Sequence, residues 1–346
     1  NASGVPVLSL DVPSGLSADH GQPLGPCIRA TATASFVAWK RGLFTAQAGD
    51  YCGALSLHDL ALPQAAYAAQ QADAHLLRIQ PLPPRHLDSN KGNYGHVLAI
   101  GGDLGMAGAI RLCAEASLRC GAGLVSVATR AVHISAINAA RPELMAHAVE
   151  DGAALKPLLE RASVLALGSG MGQGDWGQFV WRAALETGKP MVLDADGLNL
   201  LSTQPRSLPQ HTVLTPHPGE AARLLDTDVT AVQADRYAAV RSLAAKFQCV
   251  AVLKGSGSLM ANPAGEVAVC PWGNPGMASG GMGDVLTGVI AGLLAQGLTP
   301  WQAACLGVGL HARAGDVAAQ AGQRGLLASD LLLPLRYLLN GNQAHV

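Results

Sequence analysis

The sequence predicts an α/β protein built on a largely parallel sheet with helices on both faces. From about residue 95 onward, short runs that are apolar throughout alternate with segments of helical periodicity, as in parallel sheets covered on both sides. Most of these runs end in Gly, Asp or His. Because ligands bind at the carboxyl ends of parallel strands, this pattern also indicates where function lies.

Composition narrows the class of protein. A length of 346 residues predicts one large domain or two unequal ones, and 49% hydrophobic against 14% charged residues argues against disorder. The net charge of −1 favours neither nucleic acid nor an anionic membrane as partner, and no apolar run is long enough to span a bilayer. Seven cysteines without a CxxC pair predict buried thiols in a reducing compartment, not a disulfide or zinc framework. We therefore expect a cytoplasmic enzyme.

The first elements belong to a separate small unit. VPVLSLDVPSG is read as a strand that ends at Asp11, and ATATASFVAWK and GALSLHDL are read as two more strands. The prolines of 81–84 then mark a linker. We predict a first unit over 1–65, a linker over 66–88 and a main domain over 89–343.

The main domain begins with the strand GHVLAIGG and the helix AGAIRLCAEASLRCG. Further strands are predicted at GLVSVAT, ELMAHAV, SVLALGSG, PMVLDAD and TVLTPH, with helices between most of them. CVAVLKGSGSLMA and EVAVCPWG predict a hairpin towards one edge of the sheet. After Asp284 the chain is predicted to be almost entirely helical.

The stretch NPGMASGGMGDVLTGVIAGLLAQG, residues 274–297, places glycines directly before an amphipathic helix. Free backbone N–H groups at Gly281, Met282 and Gly283 would form an anion hole at the positive end of the helix dipole. Asp284 could be an acid–base group at this hole or a residue that complements the helix dipole. The motif by itself leaves both open.

Other strand ends carry similarly ambiguous turns. Lys254 lies in a glycine-rich turn that fits either a phosphate site or a tight hairpin with a solvated lysine, and its spacing is not that of a P-loop. Asp194 and Asp196 fit metal, ribose or helix-capping roles. His217 and Glu220 fit a ligand site or a helix N-terminus that begins at Pro218. Together with the turns at 101–109 and 168–172, they predict a cleft for more than one phosphate-bearing ligand.

Six of these stretches, taken in order, resemble the ADP-dependent NAD(P)H-hydrate dehydratase domain, a family of ribokinase-like fold. They are KGNYGHVLAIGGDLGMAGA, LGSGMGQ, VLDADGLN, LTPHPGEAARLL, VLKGSGS and the 274–297 stretch. The resemblance covers about residues 85–340. It implies repair of NADH and NADPH hydrated on the nicotinamide ring, by removal of water from the S epimer with consumption of ADP and release of AMP and phosphate.

The resemblance also implies roles for residues. ADP or AMP would be held by Lys254, Gly255, Ser256, Gly257, Ser258 and Gly283, and the hydrated nucleotide by Ala109, Gly172, His217 and Asp284. Asp284 would be the base that takes the proton of the substrate hydroxyl while this hydroxyl receives a phosphoryl group. Glu220 occupies the place of a magnesium-motif glutamate of related kinases, so a Mg²⁺ role through water is expected.

The N-terminal unit resembles the closing part of the NAD(P)H-hydrate epimerase domain, which bacteria commonly fuse before the dehydratase. Asp11 matches that family's substrate-binding and catalytic aspartate, and Ser14 matches a K⁺ ligand. The family's Asn-Asn-Gly-Gly-Asp-Gly segment, which should precede Asp11, is absent from the sequence. We therefore expect a partial Rossmann-like segment with exposed sheet edges and no epimerase activity in this chain, as in a fragment or a decayed gene.

Two alternatives remain. A small-molecule kinase of the same fold, such as a hydroxymethylpyrimidine, pyridoxal or hydroxyethylthiazole kinase, would use Asp284 equally well and leave a stable phosphate ester. A non-catalytic nucleotide-binding module is the other, against which Asp284, Lys254 and His217 argue. Family likeness implies a homo-oligomer. The choices between ADP and ATP, and between hydrated NADH and NADPH, have no readable motif.

Overall fold

The computed structural model of the chain describes residues 1, 4–68 and 70–341 and contains two sheets. The first has three strands, β1 (Leu8–Leu10), β2 (Ala32–Phe36) and β3 (Ala54–His58), which are parallel and lie in that order. Leu8 and Leu10 of the edge strand β1 are 62% and 65% exposed. This sheet thus leaves apolar side chains in solvent, as we expected from the sequence.

The second sheet has ten strands and forms the main body. After β4 (His75–Leu76) these are β5 (His96–Ile100), β6 (Leu124–Thr129), β7 (Met145–Ala148), β8 (Val164–Leu167), β9 (Met191–Leu193), β10 (Thr212–Leu214), β11 (Val250–Leu253), β12 (Leu259–Ala261) and β13 (Val267–Val269). Their spatial order is β4-β13-β12-β11-β10-β9-β8-β5-β6-β7. Only β12 runs antiparallel to its neighbours within this sheet, so the prediction of a largely parallel sheet with a hairpin near one edge is confirmed.

Helices cover both faces of the large sheet. The α-helices are α1 (Gly49–Cys52), α2 (Gln64–Ala68), α3 (Ala107–Arg119), α4 (Ile134–Ala140), α5 (Gly152–Arg161), α6 (Asp175–Leu185), α7 (Ala195–Thr203), α8 (Pro218–Leu225), α9 (Val229–Ala234), α10 (Arg236–Phe247), α11 (Met282–Ala295), α12 (Pro300–Ala318) and α13 (Leu332–Leu339). Short 3₁₀ helices occur at Arg41–Phe44, Lys91–Tyr94, Ala131–His133, Pro275–Met277, Ala319–Ala321 and Ala328–Leu331.

One hydrophobic cluster lies on each face of the large sheet. One packs α3, α4, α11, α12 and α13 against the sheet, and the other packs α5 to α10. Strands β8, β9, β10 and β11 are buried along their whole length because both of their faces are covered. A methyl group at Gly288 of α11 would lie 2.0 Å from the Cys113 carbonyl oxygen, so glycine is required where α11 crosses α3.

One segment differs from its predicted role. Residues 66–88 were expected to be a linker, but β4 lies within them and pairs in parallel with β13, and Leu77 is buried in the core. A two-residue strand carries no periodicity of its own, which is why the sequence pattern missed it. The main body therefore starts before residue 89 in the structure.

Two further observations concern the whole described chain. All seven cysteines have free thiols, and five of them are buried.

Among the described residues no helix combines the length and the apolar character that crossing a membrane requires.

Candidate active site

The N-terminus of α11 forms the centre of the candidate site. Gly281 is the residue before the helix and has φ +92°, a left-handed conformation that favours glycine. No side chain in the described part of the chain caps this end of the helix. The first four backbone N–H groups, those of Gly281, Met282, Gly283 and Asp284, have no acceptor within the helix, so they remain available to an anion.

Asp284 lies in the first turn of α11 and is half-buried. Burial, together with the nearby Asp194 and Asp196 carboxylates, raises the pKa of Asp284 to about 6, against the lowering effects of Ser169 and Lys254. The buried Ser169 hydroxyl is close enough to lower this pKa, yet it makes no hydrogen bond of normal geometry with any described residue. A carboxyl of raised pKa beside free N–H groups suits a general base.

A buried ion pair lies against the same helix turn. Lys254 Nζ donates to Asp194 Oδ1 at 2.7 Å, and Thr287 Oγ1 of α11 donates to Asp194 Oδ2 at 2.9 Å. Burial opposes the charge on Asp194, but Lys254, Thr287 and Thr215 hold its pKa below the usual range. Burial likewise opposes the charge on Lys254, but Asp194 and Glu220 raise its pKa. Both groups are therefore charged at neutral pH.

The side chain of Lys254 is only 19% exposed. The alternative of a hairpin turn with a solvated lysine is therefore wrong for Lys254, although the turn itself does join the antiparallel strands β11 and β12. Gly255 and Gly257 have φ +139° and +62°, so the backbone between these strands takes a conformation that favours glycine. Ser258 Oγ donates to the Gly255 carbonyl oxygen at 3.1 Å and closes the turn.

His217 and Glu220 form a capping box at the start of α8. His217 Nδ1 accepts from the N–H groups of Gly219 and Glu220, at 3.0 and 3.3 Å, and Glu220 Oε2 accepts from the His217 N–H at 2.8 Å. Burial raises the pKa of Glu220 to about 7, against the effect of Lys254, which lies 3.8 Å away. Both residues thus cap the N-terminus of α8. The His217 ring is also half-exposed, so it remains accessible to a ligand.

The turn after β8 lies beside the start of α3. A methyl group built at Gly170 would be 3.2 Å from Ala109 Cβ, and one at Gly172 would be 3.1 Å from Asp103 Oδ2. The Gly172 N–H donates to Asp196 Oδ2 at 2.8 Å, so Asp196 holds this turn in place. Ser169 and Gly172 thus lie in one turn, and Ala109 lies beside that turn.

Two predicted residues lie elsewhere. Asp11 follows β1 in the three-stranded sheet, with φ +66°, and forms an ion pair with Lys40. Burial opposes its charge, but hydrogen bonds from Lys40, Phe36 and Ser35 hold the pKa of Asp11 below its usual value. Ser14 is exposed in the turn that follows.

A cavity of about 890 Å³ lies away from the predicted residues, between the 81–86 segment and the far ends of α3 and α11. Because α11 is 14 residues long, this cavity is about 20 Å from the anion hole. None of the predicted site residues lines it.

Sequence reasoning left Asp194 undecided and missed Ser169 and Thr287. Asp194 directly follows the buried strand β9, and Ser169 comes two residues after the buried strand β8. Their position at strand ends is the sequence signal that could have identified them. Thr287 carries no such signal, because a threonine inside an apolar helix is indistinguishable in sequence from a core residue.

The donor set around Glu220 permits a limited metal role. No group of three or more His, Cys, Asp or Glu side chains within the described ranges could hold a metal ion. Glu220 is 5% exposed, and one of its oxygens is occupied by the His217 N–H. Since Mg²⁺ is commonly held by phosphates and water with one or two carboxylates, Glu220 fits as a water-mediated partner.

The chain is similar to known proteins over nearly its whole length. The model of the family described as NAD(P)H-hydrate dehydratase matches residues 97–335, and that described as YjeF-related protein N-terminus matches residues 1–42. The bifunctional NAD(P)H-hydrate repair enzyme of Coxiella burnetii is 50% identical over 345 residues, covering 98% of this chain and 70% of that protein. That of Escherichia coli is 43% identical and covers 98% and 66%, respectively, so the chain spans about two thirds of such relatives.

Similarity to solved structures agrees with the family match. A ribokinase-like superfamily protein of Enterococcus faecalis superposes with a TM-score of 0.70 and 32% identity, over 75% of this chain and 91% of that one. The ADP/ATP-dependent NAD(P)H-hydrate dehydratase of Bacillus subtilis, co-crystallised with ATP and Mg²⁺, superposes with a TM-score of 0.67 and 30% identity. It covers 76% of this chain and 95% of that chain. The expected ribokinase-like fold is therefore confirmed.

Proposed function

The chain belongs to the NAD(P)H-hydrate dehydratase family, and from that premise we propose that it repairs hydrated NADH and NADPH by ADP-dependent dehydration of the S epimer. One observation carries the proposal. Asp284, a carboxyl with a pKa raised to about 6, lies in the first turn of an uncapped helix whose free N–H groups can receive a phosphoryl group.

Hydroxide is a poor leaving group, so the hydroxyl is first phosphorylated. Asp284 takes the hydroxyl proton while the substrate oxygen attacks the β-phosphorus of ADP, and the bond from that phosphorus to the bridging oxygen breaks to release AMP. The N–H groups of Gly281, Met282 and Gly283 are assigned to the charge on the transferred group. Lys254, held by Asp194, adds a fixed positive charge next to them.

Elimination then completes the repair. The lone pair of the ring nitrogen expels phosphate with both electrons of the C–O bond, and loss of a proton from the adjacent ring carbon restores the dihydronicotinamide. The sum is hydrated NAD(P)H plus ADP giving NAD(P)H, AMP and phosphate. Formation of the phosphate ester is the step shared with small-molecule kinases, and its elimination is the step that separates the two functions.

The remaining assignments follow the family positions. Lys254, Gly255, Ser256, Gly257, Ser258 and Gly283 hold the adenine nucleotide, and Ala109, Gly172, His217 and Asp284 line the hydrated substrate. The B. subtilis neighbour was crystallised with ATP and Mg²⁺. In this chain Glu220 would hold a water of such an ion, which would neutralise phosphate charge when bound.

The test uses the purified chain with hydrated NADH and ADP, ATP or no nucleotide. We expect recovery of the dihydronicotinamide absorbance together with one AMP per NADH when ADP is present. Accumulation of a stable phosphate ester would instead indicate a kinase. Release of neither product, with intact folding, would rule out this dehydration.

The three-stranded unit is assigned to the epimerase family, with Asp11 at its hydrated-nicotinamide site and Ser14 as a K⁺ ligand. The match of residues 1–42 to the YjeF-related N-terminal family supports this assignment. The expected lack of epimerase activity is tested by following conversion of the R epimer, with and without K⁺; conversion would overturn it. A cytoplasmic homo-oligomer is the expected state, and light scattering tests the oligomer.

A further inference from the structure

The N-terminal unit touches the glycine turn that joins β11 and β12. Thr45 Oγ1 donates to the Gly257 carbonyl oxygen at 3.1 Å, and the Ala46 N–H donates to the Ser256 carbonyl oxygen at 3.1 Å. A methyl group at Gly257 would lie 1.7 Å from the Phe44 carbonyl oxygen. The 3₁₀ helix Arg41–Phe44 and its following residues thus form the outer support of the 254–258 turn.

A buried arginine connects the two sides of this contact. Arg236, the first residue of α10, is 1% exposed. Its Nε donates to Thr45 Oγ1 at 3.0 Å, and its Nη2 donates to the carbonyl oxygens of Leu253 and Lys254, each at 3.3 Å. The Thr45 hydroxyl is therefore both an acceptor from Arg236 and a donor to the turn.

Among the residues that the structure describes, none serves as a counter-ion for the charge of Arg236. Burial lowers the pKa of Arg236 to about 10, so the guanidinium stays protonated at neutral pH. It makes no ion pair with any residue in the described part of the chain, and its Nη1 donates to the neutral Gln233 side chain at 2.9 Å. A buried charge without a partner is costly, and here it lies directly against Gly255, with both terminal nitrogens 3.1 Å from the position of a built methyl group.

We propose that Thr45 and Arg236 are positioning residues for ADP, so that the N-terminal unit forms part of the nucleotide site of the dehydratase. Arg236 holds the turn from beneath and adds positive potential next to the phosphates. Thr45 orients Arg236 and fixes the turn from the other side. The proposal rests on the assignment of the 254–258 turn to the adenine nucleotide made above.

The test compares ADP binding and steady-state kinetics in the full chain. Thr45→Val keeps the shape of the side chain but removes the hydrogen bonds of its hydroxyl, so we expect ADP binding by calorimetry to weaken about tenfold, as for one to two lost buried hydrogen bonds. KM for ADP should rise similarly, while KM for hydrated NADH changes less than twofold. Thr45→Ser should restore ADP affinity.

Asp73→Asn is the matched control. Asp73 is 54% exposed and pairs with Arg41 and Arg241 at the rim of the same contact between the units. This variant should leave ADP affinity unchanged. Arg236→Lys, which keeps the charge but cannot donate to Thr45 and the turn together, should also weaken ADP binding, and it serves if Thr45→Val does not fold.

If the parent chain dehydrates its substrate but neither variant alters ADP affinity, or if both KM values rise equally, the positioning role is wrong. If ADP affinity depends on Thr45 while no dehydration occurs, the positioning role stands and the proposed reaction fails.

Discussion

Lys254 and Asp194, 60 residues apart in the chain, form a 2.7 Å ion pair against the first turn of α11. A methyl group built at Gly283 would lie 3.4 Å from both Lys254 Nζ and Asp194 Oδ2. The pair therefore joins the end of β9, the end of β11 and the helix that carries Asp284. Asp194 fixes the lysine charge next to the anion hole before any ligand arrives.

Replacing Asp194 with Asn should destabilise the protein, because Lys254 would remain buried without its counter-charge. Loss of one partner from a buried ion pair costs roughly 3–5 kcal/mol, measured here as the free energy of unfolding in urea. Thr287→Val removes only a hydrogen bond to Asp194 and should cost about 1 kcal/mol. Equal losses for the two variants would contradict a dominant role for the ion pair.

Asp284→Asn should lower turnover of hydrated NADH by about 10²–10⁴-fold, because the amide cannot accept the hydroxyl proton. ADP affinity should persist, since the anion hole is built from backbone N–H groups. Asp175→Asn, which changes an exposed carboxyl in the first turn of another helix, α6, is the control and should keep full activity. Full turnover by Asp284→Asn would show that the assigned base is wrong.

The pH dependence follows from the pKa of Asp284, which burial raises to about 6. The base works only when deprotonated, so kcat/KM should be low at pH 5 and rise to a plateau above about pH 7. Ser169→Ala removes a group that lowers this pKa, so the rise should move to higher pH. AMP release measured by chromatography gives both profiles; a flat profile through pH 6 would speak against Asp284 as the titrating group.

Gly283→Ala separates stability from activity. The built methyl group makes only ordinary contacts at 3.4 Å, and alanine favours a helix over glycine, so the free energy of unfolding should stay equal or rise by up to about 1 kcal/mol. The same methyl group would occupy space next to the Lys254 ammonium, where the phosphoryl group is expected. Turnover should therefore fall at least tenfold in the ADP-dependent assay; unchanged turnover would place the phosphoryl group elsewhere.

Much of this structure could be predicted from local sequence patterns. The buried strands and the glycine turns at their ends are signalled within a few residues, so the parallel sheet, the hairpin of β12 and β13 and the position of Gly281 before α11 were predictable. Contacts between distant segments were not. The pairing of Lys254 with Asp194, the burial of Arg236 and the support of Gly257 by Phe44 depend on how the chain folds back, and no spacing in the sequence encodes them. His217 shows a third case, because its capping geometry was predictable and its role towards a ligand was not.

The short strand β4 has a practical consequence for dividing the protein. A piece that began at residue 89 would lack His75 and Leu76, and β13 would become the free edge of the sheet, with its ladder N–H and C=O groups unpaired. Such an edge invites strand-to-strand association between copies. Expression boundaries for the catalytic body should therefore be drawn ahead of residue 75.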